Sequence, residues 1–164
     1  METAYIGIGS NIGHKIENCK MAISLMGRLE GCSVRLQSPF YRTEPVGVEG
    51  QDTFVNGVIG LDTDLSAVTL LKHLLKIETD MGRVRRKKWD ARVIDLDILL
   101  FGASIIDRSG LIVPHPLMHL RRFVLTPLSQ IAPDLIHPVL GQSIGELAGA
   151  LSDNGQAVEI YERS

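Results

Sequence analysis

Arg92-Val93-Ile94-Asp95-Leu96-Asp97-Ile98-Leu99-Leu100-Phe101 is an apolar, β-branched run interrupted by two carboxylates. It reads as a strand. Side chains on a strand alternate faces, so Ile94, Leu96 and Ile98 fall on one and Asp95 and Asp97 on the other, their α-carbons roughly 6 to 7 Å apart. One face is core and the other carries paired acid. Two like charges at that spacing repel, more strongly as the local dielectric falls, so a half-buried Asp-x-Asp needs a compensating cation. Oxygen ligands alone favour Mg²⁺, which takes one or two carboxylates together with substrate phosphates; two such ions can clamp a phosphoryl group during in-line displacement. A solvated strand face with two ordinary aspartates has the same local pattern.

The preceding residues bear on that choice. Gly82-Arg83-Val84-Arg85-Arg86-Lys87-Lys88-Trp89-Asp90-Ala91-Arg92 sets six cationic side chains ahead of the acidic strand. Arginine's planar fork matches phosphate oxygens two at a time, and a polyphosphate carrying Mg²⁺ needs cations and carboxylates together. Arg83 and Arg92, which bracket the loop, are the stronger phosphate candidates. Arg86, Lys87 and Lys88 read equally well as a solvated charge run.

With 164 residues and 45% hydrophobic content, the chain suffices for one domain with a substantial core, spanning 1–164. A formal net charge of −2 argues against a nucleic acid or a membrane surface as partner and for a small anionic one. Met1-Glu2-Thr3-Ala4-Tyr5 lacks the basic start of a signal peptide, and no apolar run has the length of a membrane span, so a cytoplasmic protein is expected. Cys19 and Cys32 form no Cys-x-x-Cys unit and read as free thiols near the core.

Residues 3–9 form a first expected strand ending in Gly-Ser-Asn, followed by a helix over 14–30 with Ile16, Cys19, Ile23, Met26 and Leu29 inward. A strand over 33–41 leads into a long loop, 43–52, of the kind that often serves as a lid. A strand over 54–61 and a helix over 66–81 come next, the helix with Ala67, Leu70, Leu71, Leu74 and Leu75 inward, Ser66 as its cap and Gly82 closing it. After the acidic strand, short strands are expected at 104–107 and 111–113. Pro114-His115-Pro116 stops regular structure, since neither proline donates to a ladder. Helices over 118–131 and 143–151 and a strand over 157–161 complete the chain. The order β-α-β-β-α-β is that of a ferredoxin-like α+β domain with two helices on one sheet face.

Several stretches share a further property. Tyr5-Ile6-Gly7-Ile8-Gly9-Ser10-Asn11, Phe40-Tyr41-Arg42-Thr43-Glu44-Pro45, Phe54-Val55-Asn56, the Gly-Arg-x-Arg run with Trp89, the acidic strand through Gly102, and Val113-Pro114-His115-Pro116 together resemble the 6-hydroxymethyl-7,8-dihydropterin pyrophosphokinases of the folate pathway. The resemblance covers most of the chain. It implies a ferredoxin-like core with a mixed or antiparallel sheet, extended to a three-layer α/β/α sandwich by the C-terminal helices. It also implies transfer of a pyrophosphoryl group from ATP to the hydroxymethyl oxygen of a reduced pterin, releasing AMP, in tetrahydrofolate biosynthesis.

By the same resemblance, Arg83, Arg92, Asp95 and Asp97 are the catalytic set, and Asp95 and Asp97 hold two Mg²⁺ ions. The pterin site comprises Gly9, Thr43, Pro45, Val46, Phe54, Asn56, Trp89 and Phe123. The ATP site comprises Glu78, Arg83, Arg85, Arg86, Trp89, Arg92, Ile98, Ile112, His115 and Arg121. A pterin is flat and edged with donors and acceptors, so Phe54 and Phe123 would sandwich its ring while Asn56 reads its edge. Without the resemblance, Phe54 and Phe123 read as ordinary core aromatics, whereas an amide within an apolar strand needs partners. His115 could donate a hydrogen bond to a phosphate oxygen.

Phe54 stands where the family often has a tyrosine, Pro116 where it often has an aromatic, and Gly110 where an arginine can sit. The basic loop is one residue shorter between Arg86 and Trp89 than in some members. Two other readings are compatible with parts of the chain: another Mg²⁺-dependent nucleotide transferase built on Asp-x-Asp, and a ferredoxin-like RNA-binding module. The second conflicts with an aromatic content of 5% and the lack of an RNA-binding motif. Monomer and homodimer are equally compatible with the sequence.

Overall fold

The computed structural model of the protein describes residues 1–43, 54–82, 93–151 and 158–162, and in the last strand only the Ile160 side chain. The elements are β1 (Glu2–Ser10), α1 (Lys15–Gly27), β2 (Cys32–Gln37), β3 (Phe40–Thr43), β4 (Phe54–Thr63), α2 (Ala67–Asp80) and β5 (Asp95–Phe101). They are followed by β6 (Ile106–Arg108), β7 (Leu111–Val113), a 3₁₀ turn (Met118–Leu120), α3 (Arg122–Ile131), α4 (Ile144–Ala150) and β8 (Val158–Glu162). The fold is α+β. Six strands form one sheet in the order β5-β1-β4-β3-β8, with β2 also on β4, and every pairing is antiparallel. β6 and β7 make a separate hairpin.

The strand expected over 33–41 divides in two. Pro39 has no N–H to give a ladder, and the chain steps aside there. Ser38 bridges the step, its N–H donating to the Val58 carbonyl at 2.9 Å and its Oγ accepting the Val58 N–H at 2.9 Å. Both halves still pair with β4, β2 at Ile59–Thr63 and β3 at Phe54–Asn56.

The acidic strand begins at Asp95, with Ile94 buried just ahead of the ladder. Its alternation holds through Ile98 and then breaks. Ile6 faces Ile98 while the adjacent Tyr5 faces Leu100, so Leu99 is an extra residue, a bulge that turns both Leu99 and Leu100 toward the same core.

Helices cover both faces of the sheet. Ala4, Ile6 and Ile8 of β1 and Leu96 and Ile98 of β5 pack with Cys19, Ala22 and Met26 of α1 and Leu70, Leu74 and Ile77 of α2. Tyr5, Val58, Leu99 and Leu100 point the other way, onto Val124, Leu125 and Leu128 of α3 and Ile144 and Leu147 of α4. Helix α2 starts where expected, Ser66 accepting the Thr69 N–H at 3.2 Å, and Gly82 follows its end at φ +97°. Leu75, expected inward, is 40% exposed, because the buried stripe runs 67-70-74-77 and continues into Glu78. The helix expected over 118–131 opens instead with the 3₁₀ turn, and α1 and α4 stop short of the expected bounds at Gly27 and Ala150. Among the described residues no helix is long and apolar enough to cross a membrane.

Candidate active site

Strand register assembles the site. Asp95 lies opposite Gly9, Gly9 opposite Asn56, and Asn56 opposite Tyr41. Cross-strand partners share a face, so this row points to the side covered by α3. The next row is Asp97, Gly7 and Val58. Both aspartates are half-buried, and β1 offers only glycine between them and β4.

Gly9 has a steric reason to be glycine: a β-carbon there would lie 2.8 Å from Asn56 Nδ2 and 3.8 Å from the Phe54 ring. Asn56 is 8% exposed and well held. Its Oδ1 accepts the hydroxyl of Thr43, itself buried, at 2.6 Å, and its Nδ2 donates to the Ile8 carbonyl at 3.5 Å. Thr43 is the cross-strand partner of Phe54. The structure therefore brings Gly9, Thr43, Phe54 and Asn56 together at one end of the sheet.

Beyond the outer edge of β5, Glu78 of α2 is 3% exposed and accepts the Leu96 N–H at 2.8 Å. Leu96 separates the two aspartates, so the carboxylate of α2 fixes the backbone that presents them. A charged residue continuing the buried stripe of an amphipathic helix is the sequence signal for such a role, since a buried carboxylate must have partners. The Thr43 hydroxyl carries no comparable signal, because threonine is ordinary in strands.

His115 follows the β7 hairpin strand. Its N–H donates to the Leu99 carbonyl at 2.9 Å, which ties this segment to β5, and its Nδ1 accepts the Leu117 N–H at 3.2 Å. A neutral ring thus carries its proton on Nε2. Burial pushes the His115 pKa down, Arg121 lowers it further, and Asp95 opposes both. The three groups share one electrostatic neighbourhood. Arg121 is the N-cap residue of α3, and its guanidinium sits 5.4 Å over the Phe123 ring, a cation–π contact. Phe123 itself packs against the α3-side core.

Ile98 is 5% exposed with its side chain in the opposite core, away from the aspartates, whereas Ile112 is 49% exposed on β7. Pro45, Val46, Arg83, Arg85, Arg86, Trp89 and Arg92 lie outside the described residues. Among the described residues no group of three or more His, Cys, Asp or Glu side chains is placed to hold a metal ion. Two half-buried carboxylates on one face form the donor set that Mg²⁺ uses when phosphates and water complete its shell.

Residues 5–133 match the model of the 7,8-dihydro-6-hydroxymethylpterin-pyrophosphokinase (HPPK) family. The chain belongs to that family. The matched span includes every expected HPPK-site residue from Gly9 to Phe123. Over 154 residues the chain is 41% identical to the 2-amino-4-hydroxy-6-hydroxymethyldihydropteridine pyrophosphokinase of Haemophilus influenzae, covering 94% of this chain and 96% of that one. The enzyme of the same name from Pseudomonas aeruginosa is 41% identical over 155 residues, covering 94% and 95%. Among solved structures, wild-type Plasmodium falciparum HPPK-DHPS with pteroate superposes at a TM-score of 0.72 with 14% identity. That likeness covers 90% of this chain and 42% of the longer one, so this chain spans under half of the solved protein it matches and shares the fold of that part.

Proposed function

We propose that the chain transfers a pyrophosphoryl group from ATP to the hydroxymethyl oxygen of 6-hydroxymethyl-7,8-dihydropterin, giving the pterin diphosphate and AMP, a step of folate synthesis. Membership of the HPPK family supports the reaction. The observation that carries the site is the row Asp95, Gly9, Asn56: three neighbouring strands set the carboxylate and the amide about 10 Å apart on one face, at a strand spacing of about 4.8 Å. A flat bicyclic ring anchored at Asn56 spans that gap and delivers its exocyclic oxygen to the aspartates. The strand order β5-β1-β4-β2, wholly antiparallel with α1 and α2 on one face, supports a ferredoxin-like core, and α3 and α4 add the third layer of a sandwich.

In this reading Phe54 and Phe123 stack the pterin, Asn56 holds its edge, and Gly9 leaves room for it. Asp95 and Asp97 would hold Mg²⁺, two ions with ATP, and the metal would supply positive charge to offset the negative charge on the phosphate oxygens. His115 donates from Nε2 and Arg121 from its guanidinium to the same oxygens, so the in-line geometry of hydroxyl and β-phosphorus is set before reaction. Glu78 holds the acidic strand from behind, while exposed Ile112 offers an apolar face to the nucleotide. Pro45, Val46 and Trp89 complete the pterin pocket, and Arg83, Arg85, Arg86 and Arg92 serve the phosphates. Helices α3 and α4 cover much of the sheet face on which an RNA-binding module of this fold would stack bases, which favours this reading over RNA binding.

Replacing Asn56 by Ala tests the pocket. A buried amide that fixes ligand orientation contributes about 1–3 kcal/mol, so KM for the pterin is expected to rise by about 5- to 150-fold while KM for ATP stays within about twofold. An equal rise in both would refute the pocket.

A further inference from the structure

We infer that His119 is a positioning residue for the nucleotide side of the site: its ring, set edge to face with that of His137, holds the turn that carries His115 and Arg121 where both meet phosphate. The inference rests on the phosphate role proposed above for those two residues and extends it to a pair of imidazoles that touch no reacting group.

The turn has firm ends and a lightly held middle. At one end the His115 N–H is tied to β5 through the Leu99 carbonyl; at the other Arg121 opens α3, its carbonyl accepting the Val124 and Leu125 N–H groups at 3.1 and 3.0 Å. Between them the backbone bonds to itself: the N–H groups of Met118, Leu120 and Arg121 donate to the carbonyls of His115, Leu117 and Met118 at 3.0 to 3.3 Å. Pro116, Leu117 and Leu120 are exposed, so buried Met118 and half-buried His119 fasten this stretch to the body of the protein. Met118 inserts in the core beside α3, but an unbranched thioether tolerates small shifts of its backbone. An aromatic pair is more particular. The His119 and His137 rings have centroids 6.3 Å apart and planes at 76°, the edge-to-face arrangement that flat rings prefer at such a distance. His119 forms no hydrogen bond with any described residue, which leaves the ring contact as what its imidazole supplies.

His137 makes a fixed post for that contact. It is buried, its Nδ1 accepts the Val139 and Leu140 N–H groups, its own N–H donates to the Gln142 carbonyl, and its carbonyl accepts the Gly141 N–H at 2.8 Å. The ring pair therefore fixes the turn against the connection between α3 and α4, and Arg121 follows His119 by two residues. Phe123 is held separately, by packing of α3 through Val124 and Leu125.

His119→Ala removes one ring, and His119→Phe keeps a flat ring without its nitrogens. His137→Asn removes the other ring and keeps an acceptor near the Nδ1 position. These variants and the His119→Ala/His137→Asn double variant are compared with the wild type for kcat, KM of ATP and of pterin in AMP formation, and denaturant midpoint. The contact can favour one position of the turn by no more than its own free energy, so KM for ATP is expected to rise about three- to tenfold in His119→Ala and in His137→Asn. KM for the pterin is expected to stay within about twofold, as is kcat, because saturating ATP restores the turn. Either change breaks the same contact, so the double variant is expected to match the single ones, and His119→Phe to keep the wild-type KM. A merely structural ring would lower the midpoint and leave KM for ATP at its wild-type value, which would overturn the inference. So would effects that multiply in the double variant, or a His119→Phe protein that behaves as His119→Ala does. Arg121→Ala separates the two readings: an unchanged KM for ATP there would refute the phosphate role and the inference with it, whereas a raised one beside a normal His119→Ala would refute the positioning alone.

Discussion

Glu78 shows how one buried side chain can serve a site that it does not enter. Its carboxylate reaches from α2 to the N–H of Leu96, the one residue between the two aspartates. Removing it leaves that donor buried and unpaired, which costs about 1–3 kcal/mol, and frees the strand edge to shift. Glu78→Ala is therefore expected to lower the denaturant midpoint and also raise the Mg²⁺ concentration needed for half-maximal rate, while Glu78→Gln, which retains an acceptor, loses less of both. A midpoint that falls with an unchanged Mg²⁺ requirement would mean that the carboxylate supports the fold alone. The paired acids are legible in the sequence because a two-residue period fixes their common face. Glu78 is legible only as a charge in an apolar stripe; its strand partner depends on packing between elements that are distant in sequence. The Thr43–Asn56 bond is hidden for the same reason, since strand register decides which pairs can meet.

At the scale of elements, the segment between α3 and α4 depends on His137, which is 4% exposed. Its Nδ1 accepts the Val139 N–H at 3.2 Å and the Leu140 N–H at 3.1 Å, and its own N–H donates to the Gln142 carbonyl at 2.9 Å. His137→Ala leaves two donors without their acceptor and is expected to cost about 2–4 kcal/mol, read by chemical denaturation. Protonation would do the same work against the fold, because a charged ring cannot accept at Nδ1. Burial, then His119, lowers the His137 pKa, and burial, then Arg121, lowers that of His115. Both groups bind their proton less readily folded than unfolded, so their contribution is complete above the ordinary value of 6.5 and is lost as pH falls through the lowered values. Unfolding free energy is expected to decline on acidification below about pH 6.5, more steeply than in His137→Ala. Equal slopes would exclude His137 as a source. Sequence pattern finds the helices on either side of this segment through their periods, whereas a histidine that folds a connection by accepting backbone N–H groups has no period to betray it.

For the whole molecule, antiparallel register turns residues 86 positions apart, Gly9 and Asp95, into neighbours, and lays the amide on the same row. Two helical layers hold that sheet from opposite sides, so its open end is the place where backbone glycines, acid, amide and imidazole converge. The element order is legible from hydrophobic period and turn residues, and the break at Pro39 and the bulge at Leu99 are not, because each is settled by how the strands fit the twisted sheet beside them. The reaction belongs to this scale, since it needs the pterin and nucleotide sides at once. It is best measured as AMP formed from ATP and Mg²⁺, with and without 6-hydroxymethyl-7,8-dihydropterin, in the wild type and in Asp95→Asn and Asp97→Asn. AMP that depends on the pterin and drops by about a thousandfold or more in either variant is the expected result. AMP formed equally without the pterin, or turnover retained when both carboxylates are neutral amides, would contradict it.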